Sequence, residues 1–353
     1  MLWDLFCRVV DNFGDIGVCW RLSCDLASRG ARVRLWVDDP SALAWMAGAV
    51  PRNVEVLRWS DAPLDAEDVG DVVIEAFGCN LPAALMERMA RASAPPVWIN
   101  LEYLSAESYV ERSHGLPSPQ RCGPAAGLTK WFYYPGFTPA TGGLIREPGL
   151  LEQQQHFDAP AWLAQHHTKP HANERLVSLF CYDNPALPAL LDALSDRPTL
   201  LLATAGAAST QVLRELGPTL ARPPLRAVLL PWLTQTDYDR LLWACDLNFV
   251  RGEDSFVRAQ WAAQPFVWQI YPQHDTAHGA KLQAFADQFL AYAQPADVAP
   301  LRALWNVWNG LATGLPALPA PQPWSANGLA WRESLLAQDD LGTQLLRFVA
   351  ERR

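Results

Sequence analysis

Apolar and polar positions switch between two periods along this chain. Residues 2–10 form a nearly continuous apolar run rich in β-branched and aromatic side chains, the pattern of a buried strand. Over residues 16–28 the period lengthens, and Val18, Leu22 and Leu26 recur on one helical face. Strand-like runs follow at 31–39, 54–59, 71–78 and 97–104, with a helical stretch at 81–91. Residues 130–137 read as the last strand of this series. Alternation of this kind predicts βαβ units and a mostly parallel sheet.

Over residues 138–174 the periodicity fades, and Pro, Gly, His and Gln crowd in, as expected of a linker. The alternation then resumes, with strand-like runs at 175–182, 199–206, 226–233, 246–250 and 265–271. A proline-rich stretch, 314–324, precedes a final amphipathic segment, 325–353. The expected architecture is α/β, with two Rossmann-like domains facing across a cleft. Residues 1–150 form the first domain and 151–330 the second. The last helix, 331–353, is expected to pack back on the first.

Composition narrows the partners. The 353 residues carry 28 basic and 37 acidic side chains, a formal net charge of −9. No basic run exists, so neither nucleic acid nor an anionic membrane is an expected partner. The seven cysteines are scattered with no CxxC pair, which suits reduced thiols. Cys7, Cys181 and Cys245 lie in apolar runs and read as core residues. The start lacks the basic region and cleavage site of a signal peptide, and no apolar stretch is long enough to span a bilayer. A cytoplasmic protein is expected.

Two loops hold the candidate chemistry. "VVDNFGDIGVCWRL" follows the first strand, where open α/β folds place ligands. Asp15 at the helix start would cap free N–H groups, but that leaves Asp11 and Asn12 unexplained. "DLNFVRGEDSFVRAQWA" repeats the arrangement, with Arg251 and Gly252 forming a turn and a helix starting near Asp254 or Ser255. A glycine turn, a helix N-terminus and an arginine together suit a phosphate. Asp254 or Ser255 as the N-cap is the plain structural reading, and for Asp254 it weighs at least as much as a ligand contact. Glu253 suits a sugar hydroxyl or a cationic acceptor better than a phosphate. Phe180 and Tyr182, at another strand end, could stack on a base or belong to the core. Gln235, after a further strand, could read a base edge or cap a turn.

Metal motifs are weak. Asp237 and Asp239 form a DxD, but on a helix start, where capping is the stronger reading. His274 and His278 are four apart with no evident third ligand, and His166–His167 reads as solvated. No metal site is expected. The first loop also lacks the GxGxxG of a dinucleotide-binding dehydrogenase. A sugar-nucleotide epimerase or a non-catalytic sugar-nucleotide-binding protein on the same fold stays open at this point.

The loop "DNFGDIGVCWRL", the turn "RGEDSF" and the stretch "QIYPQHDTAHGAKLQAF" resemble the EarP family of bacterial protein-arginine rhamnosyltransferases. The resemblance implies a GT-B glycosyltransferase fold and inverting transfer of L-rhamnose from dTDP-β-L-rhamnose, with no cofactor and no metal. It implies as acceptor an arginine of translation elongation factor P, activated thereby for polyproline translation. Carried over by motif, Asp11 and Asp15 match the acidic loop, with Asp15 the catalytic carboxylate and Glu253 a further candidate. Phe180, Tyr182, Gln235, Arg251, Glu253, Asp254 and Ser255 match donor-side positions. Asn12, Phe13, Gly14 and Gly252, within the same two loops, are placed with the donor contacts.

Overall fold

The computed structural model describes residues 1–11, 13–59, 69–272 and 277–353. The chain divides into two compact units, Met1–Pro148 with Leu335–Arg353, and Gly149–Ser334. The first unit begins with β1 (Leu2–Cys7), α1 (Gly14–Ser28), β2 (Arg32–Val37), α2 (Leu43–Met46) and β3 (Val54–Arg58). It continues with β4 (Val72–Ala76), α3 (Ala83–Arg91), β5 (Val97–Leu101), α4 (Tyr109–Ser113), β6 (Pro117–Pro119) and β7 (Thr129–Tyr133). The sheet order is β3-β2-β1-β4-β5-β7-β6. Every pairing is parallel except β6 on β7.

Both faces of this sheet are covered, which is why its strands read as unbroken apolar runs. Leu5, Cys7, Leu35 and Ile74 meet Val18, Leu22 and Leu26 of α1 on one face. Phe6, Trp36, Trp59 and Trp98 meet Leu85 and Met89 of α3 on the other. The first strand stops at Cys7, short of the expected residue 10. Its ladder ends there, and the next backbone N–H groups turn to carboxylates: Val9 donates to Asp38 at 2.9 Å and Val10 to Asp15 at 2.8 Å.

The second unit starts with α5 (Leu150–Gln155) and α6 (Ala159–Gln165), followed by β8 (Arg175–Leu179), α7 (Leu187–Leu194), β9 (Thr199–Ala203) and α8 (Ala207–Leu216). Then come β10 (Ala221–Arg222), β11 (Leu225–Leu229), α9 (Gln235–Ala244), β12 (Leu247–Arg251), α10 (Asp254–Ala262) and β13 (Phe266–Gln269). α11 (Ala277–Leu290), α12 (Pro295–Trp308) and α13 (Pro321–Leu336) complete it. The expected linker therefore holds two short helices; Asp158 caps α6 by accepting the Ala161 N–H at 3.0 Å, with Pro160 in the first turn. The sheet order is β10-β11-β9-β8-β12-β13, parallel except at β10.

The segment expected as one amphipathic helix is two. α13 is followed by a break at 337–340 and then α14 (Leu341–Ala350), whose N-cap Asp340 accepts the Thr343 N–H at 2.9 Å. Leu341, Leu345, Phe348 and Val349 join the α1 core of the first unit. Arg29 ties the two helices, bonding Asp25 of α1 at 3.0 Å and Asp340 at 2.7 Å.

Taken in chain order, the first five parallel strands of each sheet lie third, second, first, fourth, fifth. Each sheet thus has a switch point where the order reverses, between β1 and β4 in one unit and between β8 and β12 in the other. Ligands of open α/β sheets bind outside the carboxyl ends of strands at such points.

Candidate active site

The acidic loop leaves β1 at the first switch point. Phe13, not Asp15, occupies the N-cap of α1, and its carbonyl accepts the Gly17 N–H at 3.0 Å. This corrects the capping expectation for Asp15, which sits inside the first turn and reaches backwards. Its Oδ2 accepts the N–H groups of Val10 at 2.8 Å and Asp11 at 2.9 Å. Its Oδ1 accepts the Tyr103 hydroxyl at 3.3 Å. The residue is 2 % exposed. Burial pushes its carboxyl above the ordinary carboxylate range, and the Asp11 charge adds to the rise; the two N–H groups and the Tyr103 hydroxyl oppose it. A carboxylate with a raised pKa is a better proton acceptor.

Gly14 donates its N–H to the Asp11 carbonyl at 2.8 Å. A Cβ there would run into the Asp11 carboxylate, so glycine is what lets that side chain lie over the helix start. Phe13 turns its ring edge-on to Trp45 at 5.1 Å, in a cluster with Ile16, Val37 and Ala42. Asn12 lies outside the described residues.

The cationic turn lies at the second switch point. Arg251 is the last residue of β12 rather than part of the turn, and it is 7 % exposed. Its guanidinium carbon stands 4.4 Å from the Phe180 ring centre and 4.3 Å from that of Tyr182. The two rings expected to receive a base thus share a cation, which they hold in place. Gly252 has φ +63°, a left-handed conformation that suits glycine. Its N–H donates to the Gln269 carbonyl at 3.0 Å, and its carbonyl accepts the Trp268 indole N–H at 2.6 Å.

Neither Asp254 nor Ser255 caps α10. Glu253 occupies the N-cap position in helical conformation, and its side chain makes no capping bond. Ser255 instead accepts the Arg251 N–H at 3.1 Å and donates to the Arg251 carbonyl, closing the turn. Asp254 accepts from the Gln235 amide at 3.1 Å. Gln235 opens α9, whose capping falls to Thr234.

Asp237 and Asp239 do not converge. Asp237 accepts from Trp162 at 3.1 Å and from Arg240 at 2.9 Å, whereas Asp239 is buried in a two-bond pair with Arg258 at 2.9 and 2.8 Å. His274 lies outside the described residues, and His278 is buried beside the Asn309 carbonyl. Among the described residues, no three His, Cys, Asp or Glu side chains gather as a metal site, and no helix is long and apolar enough to cross a membrane.

Two residues of these sites escaped the sequence reading. Tyr103 follows β5 and reaches Asp15 through tertiary structure alone. Gln269 ends β13, where its side chain accepts the Tyr182 N–H at 2.9 Å; a polar residue closing an apolar strand was the available signal.

The family model for elongation factor P rhamnosyltransferase EarP matches residues 3–350. The protein-arginine rhamnosyltransferase of Pseudomonas aeruginosa is 45% identical over an alignment 382 positions long, covering 99% of both chains. Its counterparts in Pseudomonas putida and Neisseria meningitidis are 44% and 36% identical, with coverage of 98% of this chain in each case and of 98% and 96% of theirs. A solved structure concerned with EarP-mediated arginine glycosylation of elongation factor EF-P aligns with TM-score 0.67 and 31% identity over 99% of both chains. The glycosyltransferase VinC in complex with dTDP aligns with TM-score 0.53 and 13% identity over the full length of both, and shares the fold.

Proposed function

The chain belongs to the EarP family of elongation factor P rhamnosyltransferases, and from that premise we propose that it moves L-rhamnose from dTDP-β-L-rhamnose to an arginine side chain of translation elongation factor P. The first unit serves the acceptor and the second the donor. A translation factor as acceptor puts the reaction in the cytoplasm.

The nucleophile is a guanidinium nitrogen, whose pKa above ~12 keeps it protonated before attack. A free carboxylate cannot remove that proton beforehand; it can accept it as the C–N bond forms. Asp15 is suited to that role, being buried, raised in pKa and fixed by two backbone N–H groups. Nitrogen attacks the anomeric carbon from the face opposite the diphosphate, so configuration inverts. The C–O bond breaks towards dTDP with its electron pair, and the guanidine proton passes to Asp15. Asp11 adds a second negative charge that favours a cationic acceptor.

Departing dTDP carries negative charge, which Arg251 and the start of α10 can balance. In this reading the cation needed at the diphosphate is a side chain, and catalysis requires no divalent ion. Glu253, at the N-cap of α10, is assigned to a sugar hydroxyl, and Phe180 and Tyr182 hold Arg251 beside the donor.

The observation that carries the reading is Asp15 itself, a buried carboxylate at a strand switch point with one oxygen bound by the loop and the other turned to a hydroxyl. The test is to incubate the purified chain with dTDP-β-L-rhamnose and elongation factor P and follow the acceptor by intact mass. One deoxyhexose on one arginine is expected. An unmodified acceptor beside consumed donor overturns arginine transfer.

A further inference from the structure

We propose that Tyr103 is a positioning residue for the transfer, its hydroxyl fixing the Asp15 oxygen that takes the proton. The inference rests on the reading of Asp15 as the base. Asp15 Oδ2 is occupied by two backbone N–H groups, which leaves Oδ1 as the oxygen with capacity for the guanidine proton. Among the described residues, Tyr103 supplies the bond to that oxygen, at 3.3 Å.

The support behind Tyr103 is specific. Its ring lies on Phe77 at 4.3 Å between centres and 14° between planes. Phe77 follows β4 with φ +56°, a left-handed conformation that is costly for an aromatic residue. Backbone strain is thus held at the residue that props the tyrosine. Tyr103 is 40% exposed while the carboxylate it bonds is 2 % exposed, so the hydroxyl reaches inwards from the surface to a buried charge. A tyrosine serving the core alone would bury its ring.

In the transfer step Tyr103 keeps its proton throughout. It donates to the ionised carboxylate, and Oδ1 accepts the guanidine proton on its remaining lone pair as the C–N bond forms. The titratable side chains around Asp15 are Asp11 from its own loop, Cys19 from the next turn of α1 and Tyr103 from beyond β5. Of these side chains the tyrosine favours the ionised form, as do the Val10 and Asp11 N–H groups.

The test compares the full chain with Tyr103→Phe, Tyr103→Leu and Asp15→Asn, using dTDP-β-L-rhamnose and elongation factor P across pH. Tyr103→Phe keeps the stack and removes the hydroxyl. The acid limb of its kcat profile is expected to move up by about one pH unit, which is about a tenfold loss on the limb and little change on the plateau. KM for the acceptor should stay put. Tyr103→Leu should show the same limb shift with an added plateau loss, and it keeps the test alive should either variant melt early. A limb that stays in place in Tyr103→Phe, while wild type transfers and Asp15→Asn does not, overturns the proposal and leaves the base assignment standing. Near wild-type turnover in Asp15→Asn overturns the base assignment, and the proposal with it.

Discussion

Arg251 stands with its guanidinium 4.3 Å from the ring centre of Tyr182, at the end of a strand whose neighbour supplies that tyrosine. A planar cation on an aromatic face keeps its charge and loses its freedom, so little ordering is left to do when a diphosphate binds. Arg251→Ala is expected to weaken dTDP binding by about 1.5–3 kcal/mol, the range for a charged hydrogen bond. Arg251→Lys should recover part of this at most, because an ammonium cannot present the flat fork. Titration calorimetry with dTDP checks both; unchanged affinity in Arg251→Ala removes it from the donor site.

Asp15→Asn should fold and bind donor normally, since an amide oxygen can still accept the Val10 and Asp11 N–H groups. Turnover is expected to fall about 10²–10⁴-fold, as for loss of a general base. Its stability has a defined sign. A carboxyl whose folded pKa is raised contributes most below its unfolded pKa, and that contribution is lost as pH rises through the folded pKa. The variant, which has no charge to bury, should therefore gain on wild type in melting temperature from pH 4 to pH 8.

Arg29→Ala should be strongly pH-dependent. Asp25 is 1 % exposed, and burial already pushes its carboxyl up to about 6 with Arg29 beside it. Without the arginine a buried charge stands alone, at a cost of about 3–5 kcal/mol near pH 8. The Asp25 carboxyl then rises further, so the deficit should shrink as pH falls towards 5 and Asp25 takes up a proton. Part of the loss should persist there, because the Asp340 and Thr343 bonds are also gone. Urea denaturation at the two pH values measures the difference.

Asp239→Ala should destabilise the chain by about 3–5 kcal/mol through loss of its buried pair with Arg258, whatever divalent ion is present. Excess EDTA should leave rhamnosyl transfer unchanged. Activity lost to EDTA and restored by Mn²⁺ would return Asp237 and Asp239 to consideration as metal ligands.

Much of the fold was legible because parallel strands covered on both faces leave continuous apolar runs, as at Val72–Ala76 and Val97–Leu101. Asp11, Asp15 and Arg251 stood out because they interrupt such runs at strand ends. What Asp15 does there was not legible. Capping rules look forward to the next N–H groups, whereas Asp15 bonds the loop behind it and a tyrosine 88 positions away. Likewise, Phe180 and Tyr182 share a face by strand period, but their common occupant comes from another strand. Helices α5 and α6 have six and seven residues, too few to show a period.

The return of α14 to the first core bears on the order in which the protein can be completed during synthesis. Both ends of the chain meet at Asp71, which accepts the Leu2 N–H at 2.7 Å and pairs with Arg353 at 2.8 Å. Residues 149–334 are thus an insertion within the first unit. On the ribosome that insertion is synthesised before α14 is, and until α14 follows, the side chains that Leu345 and Phe348 will cover lack that cover. The unit translated first is the unit finished last.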